Sequence, residues 1–273
     1  MEQRIKKPVK RSAIRLYFGS KYFRARRHLV WLFGKIKFAK VRNEELKYEL
    51  FSHSTPLLRK LKDVDMYLQY NKIINLKLAL LKIDGVTIRP GETFSYWKLI
   101  GKPTKRKGYV NGMVLSNGTF SAGVGGGLCQ LSNLIYWMTI HTELTVIERH
   151  RHGYDVFPDS NRTQPFGSGA TCFYNYGDLM IRNDTNNIYR LKLAVTEQDL
   201  KGCWRSDLPP EYKYEVYEKE HIMKLEYWGG YTRHNVIFRR KYDLDNNLAD
   251  DEFVVENHAF MTYAPFLEDK TTL

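Results

Sequence analysis

Cysteine is scarce in this 273-residue sequence, which contains only Cys129, Cys172 and Cys203. An odd, widely spaced set without a C-x-x-C pair excludes a disulfide-rich secreted scaffold and a paired-thiolate zinc motif. The sequence also lacks an apolar run followed by a small-residue cleavage site, so no secretory signal is predicted. We therefore expect a reducing, cytoplasmic compartment and no structural disulfide.

Acidic residues are almost absent from residues 1–42, which contain fourteen Lys or Arg and a single acid, Glu2. The other positions hold equal numbers of basic and acidic residues, so the formal net charge of +13 lies entirely in this basic arm. Its longest uncharged apolar stretch, residues 29–34, is far too short to span a bilayer, which takes about twenty residues.

Aromatic and aliphatic side chains are interspersed with the charges of the basic arm. This composition is typical of a helix that lies on an anionic membrane surface, here the inner face of the membrane. Nucleic-acid phosphates are a less favoured partner, and a solvated arm without a partner stays open as the simplest alternative. The sequence therefore predicts that the basic arm brings a neutral body to a surface. The oligomeric state stays open.

Repeats and low-complexity segments are absent, so residues 43–273 are expected to form one body behind the arm. Thr55 is predicted to cap a helix that begins at Pro56. Turns at 228–230 and 245–247 are predicted to join strands. The predicted fold is α+β and has four parts: a basic helical N-terminal arm (1–42), a helical preface (43–84), a central α+β core with a Gly-rich turn leading into a helix (85–185) and a β-rich C-terminal part (186–273).

A run of glycines leads directly into a cysteine at the start of an apolar helix. The apolar spacing after Cys129 predicts that this residue lies in the first helical turn, where free N–H groups stabilise a thiolate and a developing oxyanion. Gly125, Gly126 and Gly127 would let a substrate backbone approach closely, with Gln130 beside them. We predict Cys129 as a nucleophile with a lowered pKa. The alternative is a small buried residue after a tight turn.

Two histidines, His150 and His152, follow about twenty residues later, with Arg149 next to the first. A cysteine on a helix start and a histidine on a later strand are the minimum for thiol catalysis, with His150 preferred as base and His152 as the alternative. Metal binding by this pair is disfavoured because arginines flank it, and no metal or cofactor is predicted. Arg233 and His234 could bind a carboxylate or phosphate, unless they lie on a solvent-facing strand.

Five short motifs together resemble the VanW family: Pro90 to Ser95, Gly108-Tyr109, residues 125–130, Glu148-Arg149-His150 and Gly169-Ala170-Thr171. The resemblance extends from about residue 54 to residue 258 and is to the short members, which lack extracellular repeats. It implies a context of glycopeptide resistance and the cell envelope without naming a reaction. Many long members carry an acidic residue at the position of Gly169, so Asp155 or Asp178 is a candidate to orient the histidine here.

Two functional hypotheses stay open. In the first, the protein is a thiol-dependent acyl-transfer enzyme, similar to an amidase or a transpeptidase, that acts on a cell-wall peptide or precursor. In the second, it is a non-catalytic accessory protein that binds a peptide or a partner at the cytoplasmic membrane surface.

Overall fold

The computed structural model describes residues 9, 11–59, 65–116, 118–158 and 164–265, so part of the predicted loop at 158–161 lies outside the described residues. The helices in chain order are α1 (Ala13–Phe33), α2 (Met66–Ile83), α3 (Tyr96–Ile100) and α4 (Cys129–Thr139). The strands in chain order are β1 (Lys40–Val41), β2 (Tyr48–Pro56), β3 (Val86–Ile88), β4 (Thr93–Ser95), β5 (Asn111–Ser116), β6 (Thr119–Val124), β7 (Thr145–Glu148), β8 (Tyr154–Asp155), β9 (Met180–Arg182), β10 (Tyr189–Val195), β11 (Asp199–Ser206), β12 (Lys213–Leu225), β13 (Tyr231–Tyr242) and β14 (Leu248–Met261).

The strands form four sheets in the described part of the chain. A five-stranded antiparallel sheet has the order β1-β3-β10-β11-β2. The long strands β12, β13 and β14 form an antiparallel sheet, which β8 extends in parallel to β14. A small sheet of order β4-β9-β7 and the hairpin β5-β6 complete the set. The α+β class and the β-rich C-terminal half are therefore confirmed, as are the turns at 228–230 and 245–247.

The core lies between α4, α2 and the five-stranded sheet. Leu131 and Ile135 of α4, Leu76 of α2 and Trp204 of β11 are completely buried in one cluster. The Trp204 indole N–H donates to the Thr139 hydroxyl at 3.1 Å, so its polar group is satisfied. Burial of each large apolar side chain contributes about 1.5–3 kcal/mol. This packing fixes α4, and with it the position of the residue at its start.

The segment 43–84 is not purely helical, and the predicted helix start at Pro56 is wrong. Residues Tyr48–Pro56 form an edge strand of the five-stranded sheet, paired along its length with β11. A proline is tolerated on an edge strand because its missing N–H costs no ladder hydrogen bond there. Thr55 accepts a hydrogen bond from the Gln130 side chain instead of capping a helix.

The end of the basic arm belongs to the body. Lys40–Val41 pairs with β3, and Ala39 is buried with its N–H bonded to the Thr93 carbonyl at 2.9 Å. Arg42 binds both carboxylate oxygens of the buried Glu92, at 2.7 and 2.9 Å. The division into arm and body stays a prediction, but Lys40–Val41 is a strand of the five-stranded sheet, and Ala39 and Arg42 on either side of it also bind the body.

Helix α1 begins after Ser12, whose hydroxyl accepts a hydrogen bond from the Arg15 N–H at 3.4 Å, and it ends before Gly34. None of the helices in the described ranges is both long enough and apolar enough to cross a membrane.

Candidate active site

Cys129 is the first residue of α4, as predicted. The turn that precedes it is held from α2 by Asn75, which is completely buried. The Asn75 amide donates to the carbonyls of Gly126 at 2.9 Å and Val110 at 3.0 Å. The amide oxygen of Asn75 accepts from the Val110 N–H at 2.9 Å. One side chain thus positions the glycine turn from which the cysteine helix starts.

The glycines are required by the packing of the chain itself. Gly125 and Gly127 have φ angles of 78° and 88°, which disfavour any other residue. A Cβ on Gly127 would lie 2.2 Å from Lys72 Cγ, and one on Gly126 would lie 2.2 Å from the Gly112 carbonyl carbon. The space beside these glycines is therefore filled by other residues and not left open for a substrate backbone.

Gln130 and Lys72 also have internal partners near this turn. The Gln130 amide donates to the Thr55 hydroxyl and to the Pro56 carbonyl, both at 2.9 Å, and so ties α4 to β2. The Lys72 ammonium donates to Gln69 at 2.8 Å, and burial lowers the pKa of this lysine to about 8. The burial of Lys72 was not predictable from the sequence, because a lysine within an apolar helix gives no local signal of burial.

The Cys129 thiol lies 3.9 Å from the carbonyl oxygen of Cys172. Burial raises the pKa of the Cys129 thiol above its ordinary value, against smaller lowering effects from backbone hydrogen bonds. The predicted lowered pKa was wrong, because desolvation disfavours the charged thiolate more than the helix start favours it. Cys129 as a residue is partly exposed, whereas Cys172 is buried, and burial raises the pKa of Cys172 even further.

His150 is oriented by Glu148, which lies two residues before it. The His150 Nε2 atom is 3.0 Å from Glu148 Oε1. Burial tends to raise the pKa of Glu148, but hydrogen bonds from His150 and Arg27 outweigh it and hold that pKa below its ordinary value. The carboxylate partner of the histidine is therefore neither Asp155 nor Asp178. His150 lies two residues beyond the end of β7 at Glu148, and this short separation in sequence could have indicated the pair.

Asp178 is a buried carboxyl group close to Glu148. It accepts hydrogen bonds from the Ser95 hydroxyl at 2.5 Å and from the Trp97 and Leu179 N–H groups, both at 2.9 Å. Burial raises the pKa of Asp178 to about 7.

Residues 171–173 connect the cysteine to the histidine. The thiol of Cys129 touches the Cys172 carbonyl, and the Thr171 N–H donates to the His150 carbonyl at 2.8 Å. The rings of His150 and Phe173 lie 5.3 Å apart. Among the described residues, no hydrogen bond joins the thiol to either predicted base, so the catalytic pairing stays a prediction. His152 is partly buried, and this burial lowers its pKa.

Arg149 stabilises the loop that faces α4. Its guanidinium donates to the Gly169 carbonyl at 2.8 Å, to the Gly167 carbonyl and to Asn257 Oδ1 at 3.1 Å. A Cβ on Gly169 would lie 2.4 Å from the Asn133 amide oxygen, so the packing here explains why a larger acidic residue is absent.

Comparison with known proteins identifies the family. Residues 71–205, which include Cys129, Glu148 and His150, match the family model described as VanW like protein. This chain belongs to the VanW family. It is 37% identical over 171 residues to the vancomycin B-type resistance protein VanW of Enterococcus faecalis, a match that covers 63% of this chain and 62% of that protein. It is 31% identical over 112 residues to the uncharacterized protein YoaR of Bacillus subtilis, covering 41% of this chain and 35% of that protein.

The matches therefore span less than two thirds of each of these two relatives. No solved structure matches the chain significantly. Helix α1 and the long strands β12 to β14 lie outside the segment that matches the VanW family model.

The two predicted anion-binding residues of β13 face opposite sides of its sheet. Arg233 is buried, pairs with Asp155 at 3.2 Å and stacks on the Phe166 ring at 4.1 Å. Its guanidinium thus serves an internal ion pair in this VanW-family chain. His234 instead lies beside Glu256 and His258, and the ligand-type atoms of these three residues all lie within 4.8 Å of one another.

Helix α1 packs against the loop that connects the VanW motifs to β9. Arg27 binds both oxygens of Glu148, at 2.6 and 2.7 Å. Arg24 donates to the Tyr174 carbonyl at 3.1 Å, and Trp31 packs against the core. This contact between the predicted arm and the candidate site was not predictable from the sequence, because 121 residues separate Arg27 from Glu148.

Proposed function

We propose that this VanW-family protein is an accessory protein of the cell envelope that works on an anionic membrane surface. The name of the enterococcal relative, a vancomycin B-type resistance protein, supports the context of glycopeptide resistance. The observation that carries the membrane proposal is the division of α1 into two faces of different character.

The inner face of α1 attaches the helix to the body. Arg24, Arg27 and Trp31 follow one another at intervals of three and four residues, so they share one side of the helix. All three contact the body through the hydrogen bonds and packing described above. The helix is therefore held in one orientation, and its opposite side faces solvent.

The outer face of α1 is an apolar stripe that the fold leaves uncovered. Its members recur at intervals of three, four and seven residues and are between 55% and 73% exposed: Ile14, Phe18, Tyr22, Leu29 and Leu32. Each residue of an α-helix is rotated by about 100° from the one before it. This rotation places the exposed Lys21 along one side of the stripe and the exposed Arg15 and Arg26 along the other side.

An apolar stripe between basic borders is complementary to an anionic lipid surface. The aromatic and aliphatic side chains can enter the headgroup region, and each basic residue near such a surface contributes about 1 kcal/mol. A nucleic acid would use the charges but leave the apolar stripe in water, which is why we favour lipid.

Vesicle co-sedimentation tests the proposal with the full chain. We expect binding to vesicles that contain phosphatidylglycerol, weak binding to phosphatidylcholine alone, and a steep loss of binding as salt rises. The double variant Phe18→Glu/Leu29→Glu should bind anionic vesicles at least about tenfold more weakly, because two stripe residues become charged. The matched control is Phe253→Glu on β14, which charges an equally exposed aromatic residue elsewhere and should bind like the wild type.

Three results would overturn the membrane proposal. Equal vesicle binding by the double variant and the wild type would show that the stripe has no role in binding. A wild-type dimer that dissociates in the double variant, without lipid binding, would identify a second copy of the chain as the occupant. Salt-dependent binding to random RNA that is unaffected by the double variant would favour nucleic acid instead.

A second candidate function is thiol-dependent acyl transfer, which the placement of Cys129 and the His150–Glu148 pair against residues 171–173 favours. The Cys129 sulfur would attack a peptide carbonyl carbon, and the thiol proton would pass through His150 to the departing amine. Water or a second amine would then attack the thioester and restore the thiol. Since burial keeps the thiol protonated at neutral pH, this scheme depends on the base.

Intact-protein mass spectrometry with a cell-wall stem peptide tests the acyl-transfer scheme. An adduct with the mass of an acyl group, present in the wild type and in Cys203→Ser but absent in Cys129→Ser, is expected if the scheme holds. No adduct and no release of amine from that peptide would exclude it and leave the accessory role.

A further inference from the structure

Two histidines and a glutamate converge on the outer face of the sheet formed by β12, β13 and β14. The register of β13 and β14 places His234 directly opposite His258. Glu256 precedes His258 by two residues, so its side chain lies on the same face of β14. The two imidazole rings are stacked, with centroids 4.4 Å apart and an interplanar angle of 23°.

The three side chains point their ligand atoms at one small volume. Glu256 Oε1 lies 2.9 Å from His234 Nε2 and 3.0 Å from His258 Nε2. Ligand atoms at the usual zinc distances of about 2.0–2.2 Å, arranged tetrahedrally, lie roughly 3.3–3.5 Å apart. The observed N–O distances therefore need to open by only a few tenths of an ångström to accept an ion.

We propose that His234, Glu256 and His258 form a binding site for a divalent transition-metal ion, with Zn²⁺ as the best-matched ion. Two imidazoles and one carboxylate suit zinc, whereas calcium and magnesium prefer sites made entirely of oxygen ligands. About half of the Glu256 and His258 side chains is exposed, so water or an external ligand completes the coordination. This inference does not depend on the membrane proposal or on the thiol scheme.

The backbone that carries these ligands is held in place. β13 lies between β12 and β14, so both of its edges are paired through this stretch. The Arg151 guanidinium donates to the His258 carbonyl at 3.3 Å. Such support lowers the entropic cost of gathering three side chains around an ion.

Titration of the full chain with Zn²⁺ alone, followed by calorimetry, tests the site. We expect one ion per chain with saturable binding. His234→Gln, His258→Gln and Glu256→Gln should each weaken binding by at least about tenfold, since loss of a ligand costs at least as much as loss of a supporting group. The matched control is His28→Gln, which removes another exposed imidazole, located beside Trp31 on α1, and should bind like the wild type.

Three outcomes would overturn the zinc site. One is the absence of saturable binding up to about 1 mM, the weak limit of a specific interaction. Another is unchanged affinity in all three ligand variants. The last is binding that survives in the double variant His234→Gln/His258→Gln but disappears in Cys129→Ser, which would place the ion at the thiol.

Discussion

Arg27 of helix α1 and Glu148 of strand β7 form an ion pair in which one guanidinium nitrogen lies 2.6 and 2.7 Å from the two carboxylate oxygens. Both side chains are largely buried, and the same carboxylate binds His150. The N-terminal helix thus shares a charged group with the candidate site.

Loss of the Arg27 guanidinium should destabilise the body. In Arg27→Met, the partly buried Glu148 keeps His150 and the Asp178 N–H as its only hydrogen-bond partners among the residues that the structure describes. We expect the free energy of unfolding to fall by roughly 1–3 kcal/mol, measured by urea denaturation at pH 7. Arg15→Met, which removes an exposed arginine from the same helix, should change it by less than about 0.5 kcal/mol. Equal stability of both variants would show that the ion pair adds nothing.

Two truncated chains should distinguish the contribution of α1 from that of residues 39–42. Deletion of residues 1–33 removes α1 but leaves β1 and the Arg42–Glu92 pair, so we expect cooperative unfolding and loss of binding to anionic vesicles. Deletion of residues 1–42, the whole basic arm, also leaves the buried Glu92 without Arg42.

The chain that lacks residues 1–42 should therefore be less stable than the chain that lacks residues 1–33 by roughly 3–5 kcal/mol. This is the usual cost of removing one partner of a buried ion pair. Thermal unfolding followed by circular dichroism measures the difference. Equal stability of the two truncated chains would contradict the structural role of residues 39–42.

Asp178 should make the protein less stable as pH rises from about 4 to 7. Burial raises its folded-state pKa to about 7 from an ordinary value of 3.8, so in this range the folded state binds a proton that the unfolded state has lost. The stability contributed by the protonated group is complete below pH 4 and is lost as pH rises through 7.

The variant Asp178→Asn should remove this contribution. As pH increases from 4 to 7, the free energy of unfolding of the wild type should fall relative to that of the variant. The difference between the two should grow by up to about 1.4 kcal/mol per pH unit. Denaturation at several pH values in this range measures the slope. A constant difference between variant and wild type would mean that Asp178 is ionised throughout.

The Cys129 thiol should react more slowly than a free thiol at neutral pH. In the background Cys172→Ser/Cys203→Ser, the alkylation rate by iodoacetamide as a function of pH should give an apparent pKa above the ordinary value of about 8.5, because the thiol is desolvated. An apparent pKa below that value would show that the start of α4 outweighs burial and would strengthen the acyl-transfer candidate.

Features set by neighbouring residues were predictable from the sequence. The position of Cys129 at a helix start follows from the apolar spacing of α4, and the turns between the long strands follow from local glycine and asparagine residues. The strand at Tyr48–Pro56 was not predictable, because its state is decided by pairing with β11, about 150 residues away.

The candidate site shows the same limit. A cysteine and a histidine were recognisable as residue types, but Arg27 meets Glu148 and His234 meets His258 only through the tertiary fold. The direction of the Cys129 pKa shift was also missed, because burial outweighs the local effect of the helix start, and burial cannot be read from the spacing of residues.

Because α1 binds the body with one face and presents its apolar stripe on the other, its width sets the distance between the candidate site and the proposed membrane surface. A helix with its side chains is about 10 Å across, and Arg27 on the inner face binds Glu148 while the apolar stripe lies on the outer face. In the proposed orientation, Glu148 and His150 therefore stand about one helix diameter above the lipid headgroups. If the membrane proposal holds, a ligand tethered to the membrane by a short link would reach the site at that height more readily than one that diffuses freely in solution.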